Sequence, residues 1–379
     1  MNKQYNLKPL LLTPGPVPIP KLILDSLSRP MIHHRCSEFE DIFKQTKTLL
    51  KKIFQTKQEV FILNASGTGA MASSLLNTLS PKDTVLVLSA GKFGERWAEM
   101  ALTYNLHLLK LDASWGQTVS IQNVKNLIDK NPQIKAILVQ ACETSTGVLH
   151  PIKELATLTR DNPNILLIVD AISALGAVDI NMDQWGIDVM IGGSQKSFCL
   201  PAGMSFIALS QKAWQFNESS RLPVYYLDLK KEKVQAKGQT AFSSNVTFIQ
   251  ALHSFLLPLK EINGLDKMIQ KSEALSQMTH RFCKSLNLNI FAAPPSPSVT
   301  SISLPPHIDG VKLKKYIEQR YQVALGGGQD KLKGRIIRVG HLGAISTDDL
   351  KRGLKSLALG LQFFDPRLVT KKDIELLKF

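Results

Sequence analysis

"NILLIVDAISALGAVDINMDQWGIDVMIGGSQKSF", residues 164–198, contains two apolar runs, each ending in a residue that a protein interior resists. The first, 164–170, stops on Asp170; the second, 186–192, leads through Gly192 and Gly193 to Lys196. Both are apolar at consecutive rather than alternate positions, the pattern of strands covered by helices on both faces. Lysine is rarely fully buried, and a carboxylate closing an apolar strand is costly unless paired. Lys196 is therefore either a surface lysine in a loop or a reactive amine held in a pocket, and the rest of the chain decides which.

Working outward, the same kind of run recurs as "EVFILN" (59–64), "DTVLVLS" (83–89), "LHLLKL" (106–111) and "IKAILVQ" (134–140), with helix-like stretches such as "GAMASSLLNTL" (69–79) between. That alternation predicts an α/β fold with a mainly parallel central sheet and helices on both faces. "MSFIALS" (204–210) adds a strand, 215–245 reads as irregular, and about 246–277 reads as helical. Beyond it, "SVTSISL" and "RIIRVG" alternate with the helix-like "GVKLKKYIEQRY" and "TDDLKRGLKSLALGL", which predicts a smaller α+β C-terminal domain. The expected division is an N-terminal segment, 1–20, packing with the small domain, a large α/β domain, 21–255, and the small domain, 256–379.

The 379 residues are 44% hydrophobic and 20% charged, the balance of an ordinary globular enzyme or binding protein. Asp170 interrupts the longest apolar stretch, so no membrane span is expected, and Leu10–Leu12 is too short a run for a signal peptide. Cys36, Cys142, Cys199 and Cys283 are widely spaced with no CxxC pair, which points away from a metal site or disulfide framework and toward a reducing cytoplasm. The net charge of +15 is spread thinly; "LKKEKVQAK" (229–237) is the one dense cluster and lacks interleaved aromatics, so a solvated basic surface, or attraction for anionic substrates, fits better than nucleic acid.

In open α/β sheets, ligands bind beyond the carboxyl ends of the strands. After "VFILN" comes "ASGTGA", 65–70, entering a helix: Ser66, Gly67 and Thr68 form an anion cradle with free N–H groups at a positive dipole end. A dinucleotide site fits poorly, because the next strand ends in Ser89 and Ala90 rather than an acid, and no Gly-Lys-Ser/Thr follows for a P-loop. "AGKFGERW", 90–97, offers Phe93 as a ring-stacking aromatic; "CETSTG", 142–147, is another polar strand end; Asp170 and Lys196 follow at later strand ends. Arg338, inside "GRIIRVGHLG" (334–343), suits bidentate capture of a carboxylate. Each has a plainer reading alone: a tight turn, a core phenylalanine, a turn-capping aspartate, a structural ion pair. Their order suits pyridoxal 5'-phosphate, with Lys196 as the Schiff-base amine and Asp170 holding the pyridinium as an electron sink.

These stretches, with "LLTPGPVPIP", "ETSTGVLHP" and "GGQDKLKGRIIRVGHLG", make the sequence resemble the class V (fold-type I) pyridoxal-phosphate aminotransferases, in particular the alanine–glyoxylate / serine–pyruvate branch, in family order over about residues 10–345. The resemblance implies catalytic roles for Lys196 and Asp170, and a cofactor set of Ser66, Gly67, Thr68, Phe93, Thr144, Asp170, Ile172, Gln195, Lys196 and Ser243. Thr144 would bond the ring oxygen, Ile172 would pack opposite Phe93, and Gln195 would sit beside the phosphate. Gly15 and Arg338 would bind substrate, no metal is implied, and a homodimer is expected, with Ser243 of "AFSSNV", or alternatively Thr240, reaching the neighbouring subunit's phosphate. Three positions depart from the family pattern: Ala72 replaces a frequent Glu, Ser243 a Thr-Pro segment, and Thr240 a frequent Tyr. The implied reaction moves an amino group from a small amino acid, alanine or serine, to glyoxylate or pyruvate. Alternatives are a transaminase of phosphorylated or phosphonate amines, for which His33-His34-Arg35 could supply cations; a lyase or cysteine desulfurase, for which Cys283 is the one C-terminal cysteine; and a non-catalytic basic binding protein.

Overall fold

The computed structural model describes residues 9–235, 238–260 and 263–377; residues 1–8 of the expected N-terminal segment and 236–237 of the basic cluster lie outside them. The strands are β1 (Leu10–Leu12), β2 (Val60–Leu63), β3 (Thr84–Ser89), β4 (His107–Asp112), β5 (Ile134–Gln140), β6 (Cys142–Glu143), β7 (Val148–Leu149), β8 (Leu166–Asp170), β9 (Val189–Gly193), β10 (Ser205–Leu209), β11 (Val299–Ser303), β12 (Val323–Gly327) and β13 (Ile336–Gly340). A seven-stranded sheet runs in the order β2-β10-β9-β8-β5-β3-β4, and a four-stranded sheet in the order β1-β12-β13-β11. In the large sheet β4, β3, β5, β8 and β9 pair in parallel, while β10 runs antiparallel to both β9 and β2.

The consecutive apolar runs follow from burial of both faces. Leu86 and Leu88 of β3, with Leu167 and Val169 of β8, point into one apolar layer. Val85 and Val87, with Leu166 and Ile168, point into the other. In the small sheet β1 lies parallel to β12, Leu10 opposite Val323 and Leu12 opposite Leu325. Its core joins Leu12, Phe282, Ile302, Leu313, Val339 and Leu354.

Two expectations need correction. The 215–245 stretch is not irregular throughout: helix Gln211–Ser219 enters it and helix Leu229–Gln235 lies within it. The first is started by Ser210, whose side chain accepts from Ala213 N. The helical 246–277 stretch is two helices, Val246–Leu256 and Gly264–Ser285, with a 3-10 turn at Leu257–Lys260 after the first. Pro258, which has no N–H to donate, stands where the first helix gives way.

Candidate functional site

Three parallel strands end at one place. Gln140, Asp170 and Ile191 of β5, β8 and β9 lie side by side in register, and Lys196 follows the end of β9. Lys196 is buried, 9% exposed, and its Nζ donates to Pro14 O at 2.5 Å. Pro14 and Gly15 lie between β1 of the small sheet and the rest of the chain, so the N-terminal segment closes over this lysine. Gly15 has φ +130°, a conformation that favours glycine, and a Cβ there would stand 2.5 Å from Nζ, so any side chain would push the lysine aside. Burial pushes the Lys196 ammonium down to about 8; the Arg338 cation adds to this, while Cys142 and Asp170 oppose it.

Asp170 is 6% exposed and accepts one hydrogen bond, from Ile172 N to Oδ1 at 2.9 Å. Burial pushes its carboxyl up to about 6, and the neighbouring Glu143 charge acts in the same direction.

Ser66 precedes helix Gly67–Thr78 as its N-cap and makes no capping bond with its side chain. The helix start therefore leaves N–H groups without intrahelical partners. Ile172 packs on this turn: a Cβ on Gly67 would run into Ile172 Cδ1, and one on Gly193 would stand 3.0 Å from both Ile172 Cγ2 and Gln195 Oε1. Gln195 Oε1 is buried with no hydrogen-bond partner among the described residues. Phe93, half-buried, is the second residue of helix Lys92–Thr103.

Arg338 of β13 is 8% exposed; its Nε donates to Gly327 O and its Nη1 to Thr144 O, both at 2.8 Å. It thereby ties the small sheet to the turn after β6. Burial lowers its pKa below the usual guanidinium value. The Thr144 hydroxyl donates to Ser173 Oγ at 2.7 Å.

The fold thus gathers Lys196, Asp170, Thr144, Arg338 and Gly15, and joins Ser66, Gly67, Ile172 and Gln195 in a second group reached through Ile172. Ser243 is exposed, and its carbonyl accepts at 2.7 Å from Nδ2 of Asn64, two residues before the Ser66 turn. Thr240 turns inward on its own loop, donating to Phe242 O at 2.6 Å. His33 and Arg35 form a local turn, with Arg35 N donating to His33 Nδ1 at 3.2 Å. Cys283 is buried in helix Gly264–Ser285, and burial pushes its thiol up to about 12, the opposite of what a nucleophilic cysteine needs. The basic cluster does meet aromatics in space: Lys231 Nζ lies 3.8 Å from the Tyr225 ring centroid and Lys233 Nζ 4.0 Å from that of Trp214.

Sequence reasoning missed Glu143. It is fully buried in β6 and accepts from Phe93 N at 3.1 Å, Gly94 N at 3.0 Å, Gln140 Nε2 at 2.9 Å, Ser145 N at 3.1 Å and Ser145 Oγ at 2.5 Å. It holds the start of the Phe93 helix to the β6–β7 turn. The signal was present in "CETSTG", a carboxylate just past an apolar strand, the same oddity that singled out Asp170. Arg96 was missed too; its Nη1 donates to Thr68 Oγ1 at 3.2 Å.

Among the described residues no group of three or more His, Cys, Asp and Glu side chains is placed to hold a metal ion. None of their helices is long and apolar enough to cross a membrane.

Comparison with known proteins places the chain as a whole. The sequence model of the class-V aminotransferase family matches residues 23–337. The soluble hydrogenase 42 kDa subunit of Anabaena cylindrica is 38% identical, with 93% of each chain covered. The serine–glyoxylate aminotransferase of Arabidopsis thaliana is 32% identical, covering 89% of this chain and 86% of that one. The crystal structure of ureidoglycine–glyoxylate aminotransferase from Bacillus subtilis superposes with a TM-score of 0.91 at 24% identity, covering 97% and 96%, a likeness of fold.

Proposed function

The chain belongs to the class-V aminotransferase family, and on that premise we propose that it is a pyridoxal-phosphate-dependent enzyme moving an amino group from a small amino acid, alanine or serine, to a 2-oxo acid such as glyoxylate or pyruvate. The observation that carries this reading is Lys196: a buried amine with one hydrogen-bond partner, pushed down to about 8, electrostatically coupled to Asp170 and Arg338. Serine–glyoxylate transamination, named for a relative 32% identical, supports the substrate class.

The residues suit the cofactor. The turn at Ser66, Gly67 and Thr68 leaves N–H groups without intrahelical partners, donors that a phosphate can use, and the nearby Gln195 amide, whose Oε1 has no protein partner, is free to turn its own N–H toward the same group. When bound, pyridoxal phosphate supplies an aldehyde that condenses with amines and a ring that draws electrons from the substrate Cα. The protein does the rest. Ser66, Gly67 and Thr68 would hold the phosphate, and Phe93 and Ile172 would hold the ring. Asp170 keeps a proton on the ring nitrogen; a cation there favours the ionised carboxylate that burial alone disfavours. Arg338, held by Gly327 O and Thr144 O, binds the substrate carboxylate and orients it; Gly15 lines the pocket with backbone. Lys196 Nζ takes the Cα proton and returns one on the other side of the reaction, and its lowered pKa leaves a useful fraction of neutral amine near pH 7–8.

The active form is a homodimer in this reading. Tyr225 is 73% exposed and Tyr226 49%, and both rings pack near Phe242, next to Ser243. A few residues on in the sequence, Thr247 donates to the sulfur of Met31, which is 69% exposed. Such a patch around an exposed Ser243 supports a partner surface through which Ser243 serves the neighbouring site. Unpaired cysteines at all four positions support a cytoplasmic setting.

Reconstitution tests the reading. The protein mixed with pyridoxal phosphate is expected to gain an absorbance band near ~420 nm that borohydride fixes to Lys196, and Lys196→Ala to lose the band. No band in the wild-type protein overturns the reading. Single turnovers with alanine, serine, aspartate and phosphoserine against glyoxylate then rank the donors; phosphoserine in first place moves the assignment to a phosphorylated amine.

A further inference from the structure

Arg96 is left over from the roles above, yet it touches two of their residues at once. Its Nη1 donates to Thr68 Oγ1 at 3.2 Å, and its Cζ lies 4.7 Å from the centroid of the Phe93 ring. Phe93 and Arg96 are three apart on helix Lys92–Thr103, so their side chains share a face. Thr68 belongs to a different helix, Gly67–Thr78, which follows a different strand. Arg96 is therefore the side chain that bridges the two helix starts following β2 and β3. No carboxylate among the described residues forms an ion pair with it, although it is only half-exposed and its charge is felt at Asp170. A guanidinium placed against an anion cradle with no protein counter-charge suits a phosphate-bearing ligand, since a planar fork can stack on a ring and donate in its own plane simultaneously.

We infer that Arg96 is a cofactor-positioning residue, whose guanidinium locks the Thr68 hydroxyl and the Phe93 ring into one unit so that phosphate cradle and stacking ring are presented at a set spacing. The inference rests on the pyridoxal-phosphate reading above. Arg96 acts through Thr68 and Phe93, so its loss weakens capture of both ends of the cofactor. Binding of pyridoxal phosphate, pyridoxal and inorganic phosphate to the cofactor-free protein separates these ends, and circular dichroism of the bound cofactor near ~420 nm reports how its ring is held.

Arg96→Met is expected to raise the dissociation constant for pyridoxal phosphate by about tenfold or more, to weaken pyridoxal and phosphate each by less, and to diminish the dichroism. Arg96→Lys keeps the charge without the planar fork and is expected to recover phosphate binding while leaving the dichroism diminished. The melting temperature of the cofactor-free variants is expected to stay within about 2 °C of wild type. The inference fails if Arg96→Met binds pyridoxal phosphate within about twofold of wild type with unchanged dichroism, or if weaker binding comes with a proportionate loss of cofactor-free stability. Wild-type protein that binds no pyridoxal phosphate overturns the underlying reading instead, so the two failures are distinguishable.

Discussion

At each end of strands β8 and β9 a buried aspartate stands near a lysine, buried at one end and half-buried at the other, and the two ends treat them in opposite ways. At the amino end, just before β9, Asp188 meets Lys212 Nζ at 2.9 Å. The same amine also donates to Thr159 O at 2.9 Å, Asn162 O at 3.2 Å and Ile165 O at 2.9 Å. Asp188 in turn accepts from Leu167 N and Ser210 Oγ, both at 2.9 Å. At the carboxyl end Lys196 has one partner, Pro14 O, Asp170 has one, Ile172 N, and Gln195 Oε1 has none. Burial costs the same kind of free energy at both ends. One end recovers it within the protein; the other leaves it outstanding for a ligand. Unmet hydrogen-bonding capacity, more than buried charge itself, distinguishes the end proposed above as the cofactor site from the other.

The comparison breaks most visibly at Lys212. Lys212→Met strips four interactions from one amine and leaves Asp188 buried without its counter-charge. The expected loss is about 3–5 kcal/mol of unfolding free energy, read by urea denaturation. The turnover of whatever remains folded is expected to match wild type, because Lys212 lies at the far end of the strands. A loss below about 1 kcal/mol would mean that the two ends are energetically alike and would break the contrast.

At the carboxyl end the unpaid burial shows in the pH dependence of the cofactor-free protein. Asp170 is raised from 3.8 to about 6, so the folded state binds its proton more tightly than the unfolded state. Its stabilising contribution is present below pH 4 and is lost as pH rises to 6. Lys196 is lowered from 10.5 to about 8, so here the unfolded state holds the proton more tightly, and stability returns as pH rises from 8 to 10.5. Each limb amounts to about 3 kcal/mol, an order-of-magnitude figure. Denaturation curves of wild type minus Asp170→Asn isolate the acid limb, and wild type minus Lys196→Met the alkaline one. Flat difference curves would show that Asp170 and Lys196 are solvated in solution, contrary to their 6% and 9% exposure.

How much of this was legible beforehand depends on whether a residue's chemistry or its neighbour's backbone does the work. Asp170 and Lys196 stood out because charge at the end of an apolar run is costly wherever the chain folds. The strands stood out for the related reason that two buried faces leave no room for alternation. The direction of β10 did not, since "SFIAL" reads the same whether it pairs parallel or antiparallel. Pro14 could not be found as the partner of Lys196, because a carbonyl carries no sequence signature. Arg96 was hidden by its setting: "FGERW" reads as a solvated helix face until Thr68, from another strand's turn, is brought beside it. The helix Gln211–Ser219 was overlooked because "QKAWQFNES" is polar, although its Ser210 cap was in plain view.

Glu143 sharpens the contrast most finely, because it is a satisfied charge inside the unsatisfied end. Its two oxygens take all five donors from Phe93 N, Gly94 N, Gln140 Nε2, Ser145 N and Ser145 Oγ. Burial raises its pKa, and the Ser145, Gly94 and Phe93 donors oppose the rise. By the logic of the two ends Glu143 is structural: it fixes where Phe93 stands and leaves no capacity for a ligand. Glu143→Gln keeps the volume but turns one acceptor into a donor facing donors, with an expected cost of about 2 kcal/mol in the cofactor-free protein. Urea denaturation reads that cost. If Glu143 is structural, pyridoxal phosphate added at saturation restores the absorbance band in full, because Lys196 and Asp170 are untouched. A band that stays absent at saturation, with the fold intact by far-ultraviolet dichroism, would move Glu143 from the structural class to the cofactor's own partners.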